Sequence, residues 1–374
     1  VANSLTNVIP QLLAQGLQTL REQAVMARIV NRGYEEMAGE KGSTIDIPIP
    51  SAITVNNVAP LQTPPTTTPD TSPTKVSITM DQWKEAAFQL SDKDLSESSD
   101  GIIPMQAGEA AKSLANTIDS AILANYTSIY GYAGTAGTAP FANDTSEYRT
   151  ARAALARQLA PLDPRFVIMD PDAENNALGL RAFQDSSFGA GNEVILRGQI
   201  GNKMGALWLM NQNIPTHTAG TQNGAYTTDT ATYAIGVETL TTITGAGTIV
   251  VGDIFTIAGD TQPYVCTTLM TAPGALAFSP PLKVAIAASA TAITVKATHA
   301  VNLVIHRDCM ALAMRPFNGA DPVNVGNFSS MVDPVSGLVL RLEVTREHKR
   351  TRFSYDALYG VGIPRPELGA RIAG

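Results

Sequence analysis

The chain has 374 residues, and 26 Lys+Arg against 33 Asp+Glu leave a net charge of −7. That acidic balance excludes a protein that coats nucleic acid, because neutralising phosphates takes a basic excess. Charged residues make up 16% of the chain, against about 25% on average, so much of the surface is uncharged and available for contacts, while 44% hydrophobic content is enough for real cores.

Residues 1–23 carry neither a basic leader nor an unbroken apolar run, so no secretory signal is expected. No run approaches the roughly 18 apolar residues of a membrane span. Residues 10–31 read as one amphipathic helix, with Leu13, Leu17, Leu20, Ala24 and Ile29 close to one stripe, Pro10 in the first turn and Gly33 after the end.

Residues 43–90 change period. Ile45, Ile47 and Ile49 alternate with Thr44, Asp46 and Pro48, and Val76, Ile78 and Met80 alternate with Lys75, Ser77 and Thr79, the pattern of half-buried strands. Pro48 and Pro50 both lose donors on one edge and leave the other free to pair. A stiff Pro/Thr tip joins the two runs. A two-stranded hairpin is marginal unless something covers its apolar face, and the local sequence offers no partner helix. The expectation is that a neighbouring copy supplies the cover, with Ile45, Ile47, Val76 and Ile78 as the intersubunit face.

Residues 81–100 are acid-rich, and a long helix follows Gly101, striped by Ala107, Ala111, Leu114, Ile118, Ile122 and Ile129. From 144 to 217 the pattern is α/β: Asp144 and Glu147 resemble a capping box, RFVIM (165–169) reads as a strand, Asp170-Pro171 opens a helix, and 207–210 reads as a later strand. Between 216 and 298 the chain becomes threonine-rich, with only four acids and two lysines, and short β-runs bounded by Gly and Pro predict an inserted small barrel or meander. Residues 301–317 return to the mixed pattern, DPVSG (333–337) reads as a turn, and an alternating strand from Leu338 leads into the basic stretch Arg341, Arg346, Lys349, Arg350 and Arg352. Charge complementarity between subunits is the expected use of this stretch and the acidic one, with Asp81, Glu85, Arg346 and Arg350 setting register.

Catalytic signatures fail. There is no G-x-S-x-G, H-E-x-x-H or G-x-x-x-x-G-K-[ST]. Gly245-Ala246-Gly247 lacks the third glycine of a dinucleotide loop, and the EF-hand-like Asp92, Asp94, Ser96 breaks at Glu97 and Ile103. His217, His299, His306 and His348 default to ordinary surface or core positions, and Asp170/Asp172 to helix capping. No catalytic residue, metal site or cofactor is assigned. Cys266 and Cys309 form neither a disulfide framework nor a zinc spacing.

NLVIHRDCMALAMRPF (302–317) followed by SGLVLRLEVTREHKRTRFSYDALYGVGIPRPELGARI (336–372) resembles the C-terminal part of tailed-phage major capsid proteins, and ANSLTNVIPQLLAQGLQTL (2–20) is similar to their N-terminal arm. The order of elements resembles the coat proteins of the Salmonella short-tailed-phage type. The resemblance implies an α+β, Hong Kong 97-type fold: N-terminal arm 1–42, E-loop hairpin 43–85, P-domain with spine helix 86–135, A-domain 136–228, inserted β-barrel-like I-domain 229–298, A-domain return 299–317, and P-domain terminal strands 318–374. It also implies a homo-oligomer of hexamers and pentamers, assembled in the bacterial host cytoplasm into the virion capsid. The implied partners are a scaffolding protein and a portal protein, with room for a decoration protein. The shell would enclose double-stranded DNA without reading its sequence and without a membrane. A tail-tube subunit or a β-rich adhesin is the alternative. On this reading Ile47→Asp leaves the subunit soluble and blocks assembly.

Overall fold

The amphipathic stretch expected over 10–31 forms two helices, α1 (Val8–Gln23) and α2 (Met26–Ile29). The break has a hydrogen-bonding cause. The carboxylate of Asp119 accepts from the Val25 N–H at 3.0 Å and the Met26 N–H at 3.2 Å, and N–H groups committed there do not extend the ladder of α1. The computed structural model describes residues 8–34, 44–49, 53, 55, 74–97, 102–184, 194, 197–222, 224–287, 289–315, 327–332 and 338–374.

β1 (Thr44–Ile49) and β2 (Thr74–Thr79) pair antiparallel, with Ile45 opposite Ile78 and Ile47 opposite Val76. The Pro/Thr tip between them lies outside the described residues, except for the exposed Ile53 and Val55. The acid-rich segment, which suggested no element, is a long strand, β3 (Gln82–Ser91), running into α3 (Asp92–Glu97). The long helix is α4 (Ile102–Ala124), and Ala107, Ala111, Leu114, Ile118 and Ile122 are buried along it as expected. Ile129 lies past the helix end, after a 3-10 turn (Asn125–Ser128), and is buried there.

β4 (Gly131–Gly134), α5 (Ser146–Arg157), β5 (Arg165–Met169), α6 (Pro171–Gly179), α7 (Arg181–Gln184), β6 (Gly201–Lys203), β7 (Ala206–Met210) and β8 (Thr216–His217) follow. Asp170 caps α6 by accepting from the Ala173 N–H at 3.0 Å, with Pro171 in the first turn. The capping box at α5 does not form. Asp144 instead accepts from the Ser146 N–H at 2.7 Å in the turn just outside the helix.

The threonine-rich stretch holds β9 (Tyr226–Thr227), β10 (Thr239–Thr241), β11 (Thr248–Ile249), β12 (Ile254–Ile257), β13 (Pro263–Cys266), β14 (Met270–Thr271), β15 (Ala275–Ser279) and β16 (Ala292–Val295). Six of these make one sheet in the order β10-β15-β13-β12-β16-β9, and β11 pairs with β14 beside it. They enclose a core of their own that includes Tyr226, Phe255, Tyr264, Leu276, Phe278 and Ile293. β9 precedes the expected I-domain start at 229 yet hydrogen-bonds to β16.

The chain returns through β17 (His299–His306), β18 (Ala311–Met314), β19 (Asn327–Val332), β20 (Val339–Glu347), β21 (Arg350–Gly362) and β22 (Gly369–Ala373). The expected turn at 333–337 lies outside the described residues. Two sheets carry the body: β4-β22-β17-β5-β7-β6 with β8 on β17, and β18-β21-β20-β19 with β3 on β21. In the first, Trp208 packs against Phe141, Tyr148 and Phe183, with ring centroids 5.0–5.3 Å apart. On the second, Phe88 of β3 stacks on Phe353 of β21 at 5.1 Å, and α1 and α4 cover the sheet. The Tyr355 hydroxyl donates to the Leu12 carbonyl at 3.1 Å, tying the first helix to a strand near the far end of the chain. Gly16 permits that approach, since a Cβ there would lie 2.9 Å from the Tyr355 ring.

Candidate functional site

The hairpin base comes first, because its apolar face was expected to be bare. It is not. Ile45, Ile47 and Ile78 are buried within the one chain: Ile45 clusters with Met80 and Ala313, Ile47 with Ile78 and Ala311, and Tyr34 packs against both groups. The cover is β18, whose small alanines leave room for isoleucines above them, and it lies more than two hundred residues away in sequence. Val76 is half-buried. Ile47→Asp would therefore put a carboxylate into the subunit's own packing, and a destabilised hairpin base replaces the expected purely assembly-defective variant.

The charged residues also have partners within the chain. β3 pairs antiparallel with β21, which brings the acidic and basic stretches together in one subunit. Glu85 accepts from Arg352 Nη2 and from the Ser354 hydroxyl, each at 2.5 Å. Arg346 Nη2 donates to Asp92 at 2.7 Å, and Arg350 Nε donates to Glu347 at 2.6 Å. Arg341 pairs with Asp356, which also accepts from Trp83 Nε1 at 2.9 Å. Glu85, Arg346 and Arg350 thus each have a partner within the chain, while Asp81 is exposed and accepts from its neighbour Gln82. Exposed pairs of this kind contribute about 0–1 kcal/mol each.

The densest polar cluster is buried and joins the body to the β-rich segment. β8 and β17 carry the chain into and out of that segment, and they pair there, with His217 opposite His299. His217 Nε2 lies 2.8 Å from Asp253 Oδ1, and its Nδ1 lies 3.0 Å from the Tyr126 hydroxyl. Asp253 can only accept, so the neutral ring carries its hydrogen on Nε2, and Nδ1 accepts from Tyr126. The other Asp253 oxygen accepts from the Val250 N–H at 2.8 Å and the Gly220 N–H at 3.2 Å. From the body, fully buried Arg371 on β22 donates through Nη1 to the Gly252 carbonyl at 2.8 Å and stacks on the Tyr126 ring at 4.9 Å. Its Nε and Nη2 have no hydrogen-bond partner. Gly252 has φ +94°, and a Cβ there would come within 3.0 Å of Thr127.

Asp253–His217–Tyr126 has the order of a proton relay, but its electrostatics oppose catalysis. Burial pushes the Tyr126 hydroxyl up rather than activating it. Desolvation likewise lowers His299 and holds Arg371 down at about 9, still charged at neutral pH. Burial pushes the Cys266 thiol up to about 11 and raises Cys309 further, so neither is a poised nucleophile. Among the described residues no group of three His, Cys, Asp or Glu could hold a metal ion, and no helix is long and apolar enough to cross a membrane. Sequence reasoning missed Arg371, Tyr126 and Asp253. One signal was present for Arg371: a lone charge in the otherwise apolar strand GARIA.

Comparison with known proteins places this architecture. Residues 73–251 match a phage capsid protein family. The matched span runs from the start of β2 through the long helix and into the β-rich segment. The solved structure of Mycobacterium phage Che8 has the same fold, with a TM-score of 0.54 at 16% identity, over 94% of this chain and 91% of that one. The capsid of cyanophage P-SCSP1u (TM-score 0.49, 12% identity, 89% and 84% covered) and the mature capsid of bacteriophage PhiM1 (0.48, 13%, 90% and 83%) are similar at lower scores. No curated protein matches in sequence. The match is to a structural rather than an enzymatic family, and the mixed α/β fold expected for a phage head-shell protein is the one observed.

Proposed function

We propose that this chain is the repeating subunit of an icosahedral tailed-phage head, forming the hexamers and pentamers of a shell that encloses packaged double-stranded DNA. The family match over residues 73–251 carries this reading. The acidic net charge supports it, since a container that gripped DNA would hinder filling and release. The domain map is proposed with it: arm 1–42, E-loop 43–85, P-domain 86–135 and 318–374, A-domain 136–228 and 299–317. The β-rich 229–298 is the I-domain of the Salmonella short-tailed-phage type, a reading supported by its separate core and adjoining ends. A scaffolding protein, a portal and assembly in the host cytoplasm complete the proposal.

The hairpin remains the proposed intersubunit arm, but its contacts shift outward. With Ile45, Ile47 and Ile78 sheltered by β18, the described hairpin residues open to a neighbour include Ile53, 71% exposed, and Val55, 92% exposed, together with half-buried Val76 and exposed Asp81. Electron microscopy of the purified protein, with and without a scaffolding protein, tests the reading. Closed shells or ring-shaped capsomers are expected; monomers at every concentration overturn it, and tubes favour a tail-tube subunit.

A further inference from the structure

The joint between body and β-rich segment is too well built for a passive linker. It combines the paired strands β8 and β17, a carboxylate with every oxygen engaged, and a buried cation reaching across to a backbone carbonyl. One of its histidines is half-satisfied. His299 is 2% exposed; its Nδ1 lies 2.7 Å from the Ala297 carbonyl, which can only accept, so the ring hydrogen sits on Nδ1 and Nε2 presents a bare lone pair. Tyr132 packs edge-on against the ring at 5.6 Å, and His217 lies 5.4 Å away.

We propose that this joint is an acid-released latch, in which protonation of His299 beside the buried Arg371 frees the β-rich segment from its fixed orientation on the body.

The argument is one of charge. Facing His299 are Arg371 from β22, His217 from β8, Asp253 from the loop before β12 and Tyr132 from β4, with Lys296 from the preceding loop over the Tyr132 ring at 5.5 Å, while Tyr126 lies behind them against His217 and Arg371. Arg371 is already a buried cation. Asp253 is the one acid in this group, and its oxygens are occupied by His217 and two backbone amides. A proton on His299 Nε2 adds a second cation with no acceptor in reach. Opening the joint hydrates both, so protonation favours the open form.

The sign follows from the direction of the shift. Burial, then the fields of Arg371 and His217, hold His299 below its ordinary 6.5 in the closed joint, while an opened joint restores that value. The closed state is therefore fully favoured above about pH 6.5 and loses ground as pH falls below it, by about tenfold in the closed-to-open ratio per pH unit until the closed-state ring itself titrates.

Hydrogen–deuterium exchange on the full chain between pH 8 and 5, corrected for intrinsic exchange, tests the latch. Protection of the Gly220 amide, which donates to Asp253 at the joint, should fall about tenfold per pH unit below 6.5, while the β20–β21 amides hold constant. His299→Gln, which cannot take the proton, should flatten the response. A flat wild-type profile, or an unchanged slope in His299→Gln, overturns the latch. Should that variant fail to fold, NMR titration of ring-labelled histidines in the wild-type chain decides: an apparent His299 pKa below 6.5 supports the mechanism, and one at or above 6.5 overturns it.

Discussion

In the body, α1 at one end of the chain lies on β20 and β21 near the other, and β22 slots between β4 and β17, so no contiguous stretch owns a core. In the β-rich segment the six-stranded sheet draws only on residues 226–295, and two of its acids serve it internally: Asp229 accepts from the Tyr233 hydroxyl at 2.9 Å and Asp260 from the Tyr264 hydroxyl at 2.6 Å. One region is closed by distant chain contacts and the other by local ones. The first must wait for the whole chain before it is stable, while the second pays little loop-closure entropy and can form early.

The sharpest test of that contrast is deletion. Removing residues 8–23 should abolish cooperative unfolding of the body, because Tyr355, Leu340 and α4 lose their cover. Replacing 218–298 by a short turn should leave a cooperatively melting body in calorimetry. If the body fails to fold without 218–298, the two cores are not independent.

Core truncations come next. Trp208→Ala should cost the body about 3–5 kcal/mol by emptying the space shared with Phe141, Tyr148 and Phe183, and Phe255→Ala should cost the β-rich segment a similar amount. Exchange protection, read region by region, should fall only on the side carrying the substitution.

Asp119 offers a pH test confined to the body. Burial raises its carboxyl from 3.8 to about 6 despite its hydrogen bonds to Met26, Val25 and Asn211. The folded state therefore keeps a proton that the unfolded chain releases, and this group's contribution falls as pH rises through the interval from 3.8 to about 6. Denaturant melts should show the stability difference between Asp119→Asn and wild type moving toward the variant by up to about 3 kcal/mol between pH 3.5 and 7. No such drift with pH would mean that the carboxylate is better solvated than its burial implies.

The smallest effect belongs to the surface pairs. Arg352→Ala should cost at most about 1 kcal/mol in the isolated subunit. A larger loss, seen only when particles form, would indicate that Glu85 and Arg352 also meet a neighbour.

What could be read in the sequence was what depends on near neighbours. RFVIM is β5 to the residue, Asp170-Pro171 caps α6, and the stripe from Ala107 to Ile122 lies on α4. β3 was obscured because it lies within an acid-rich stretch, although Ala86 and Phe88 alternate on the side packed against the core. The cover over Ile45 and Ile47 and the partners of Arg346 and Arg352 depend on pairings spanning hundreds of residues, for which a single sequence holds no local period. The joint was illegible for the same reason: its members come from five separate places in the chain.

The pairing of His217 with His299 has a practical corollary. Two strands in register place their ends about 5 Å apart, so any foreign polypeptide whose own termini nearly touch could be spliced there without bending the host. If closed particles form, each would carry that cargo in as many copies as it has subunits, making this junction a natural anchor for multivalent display.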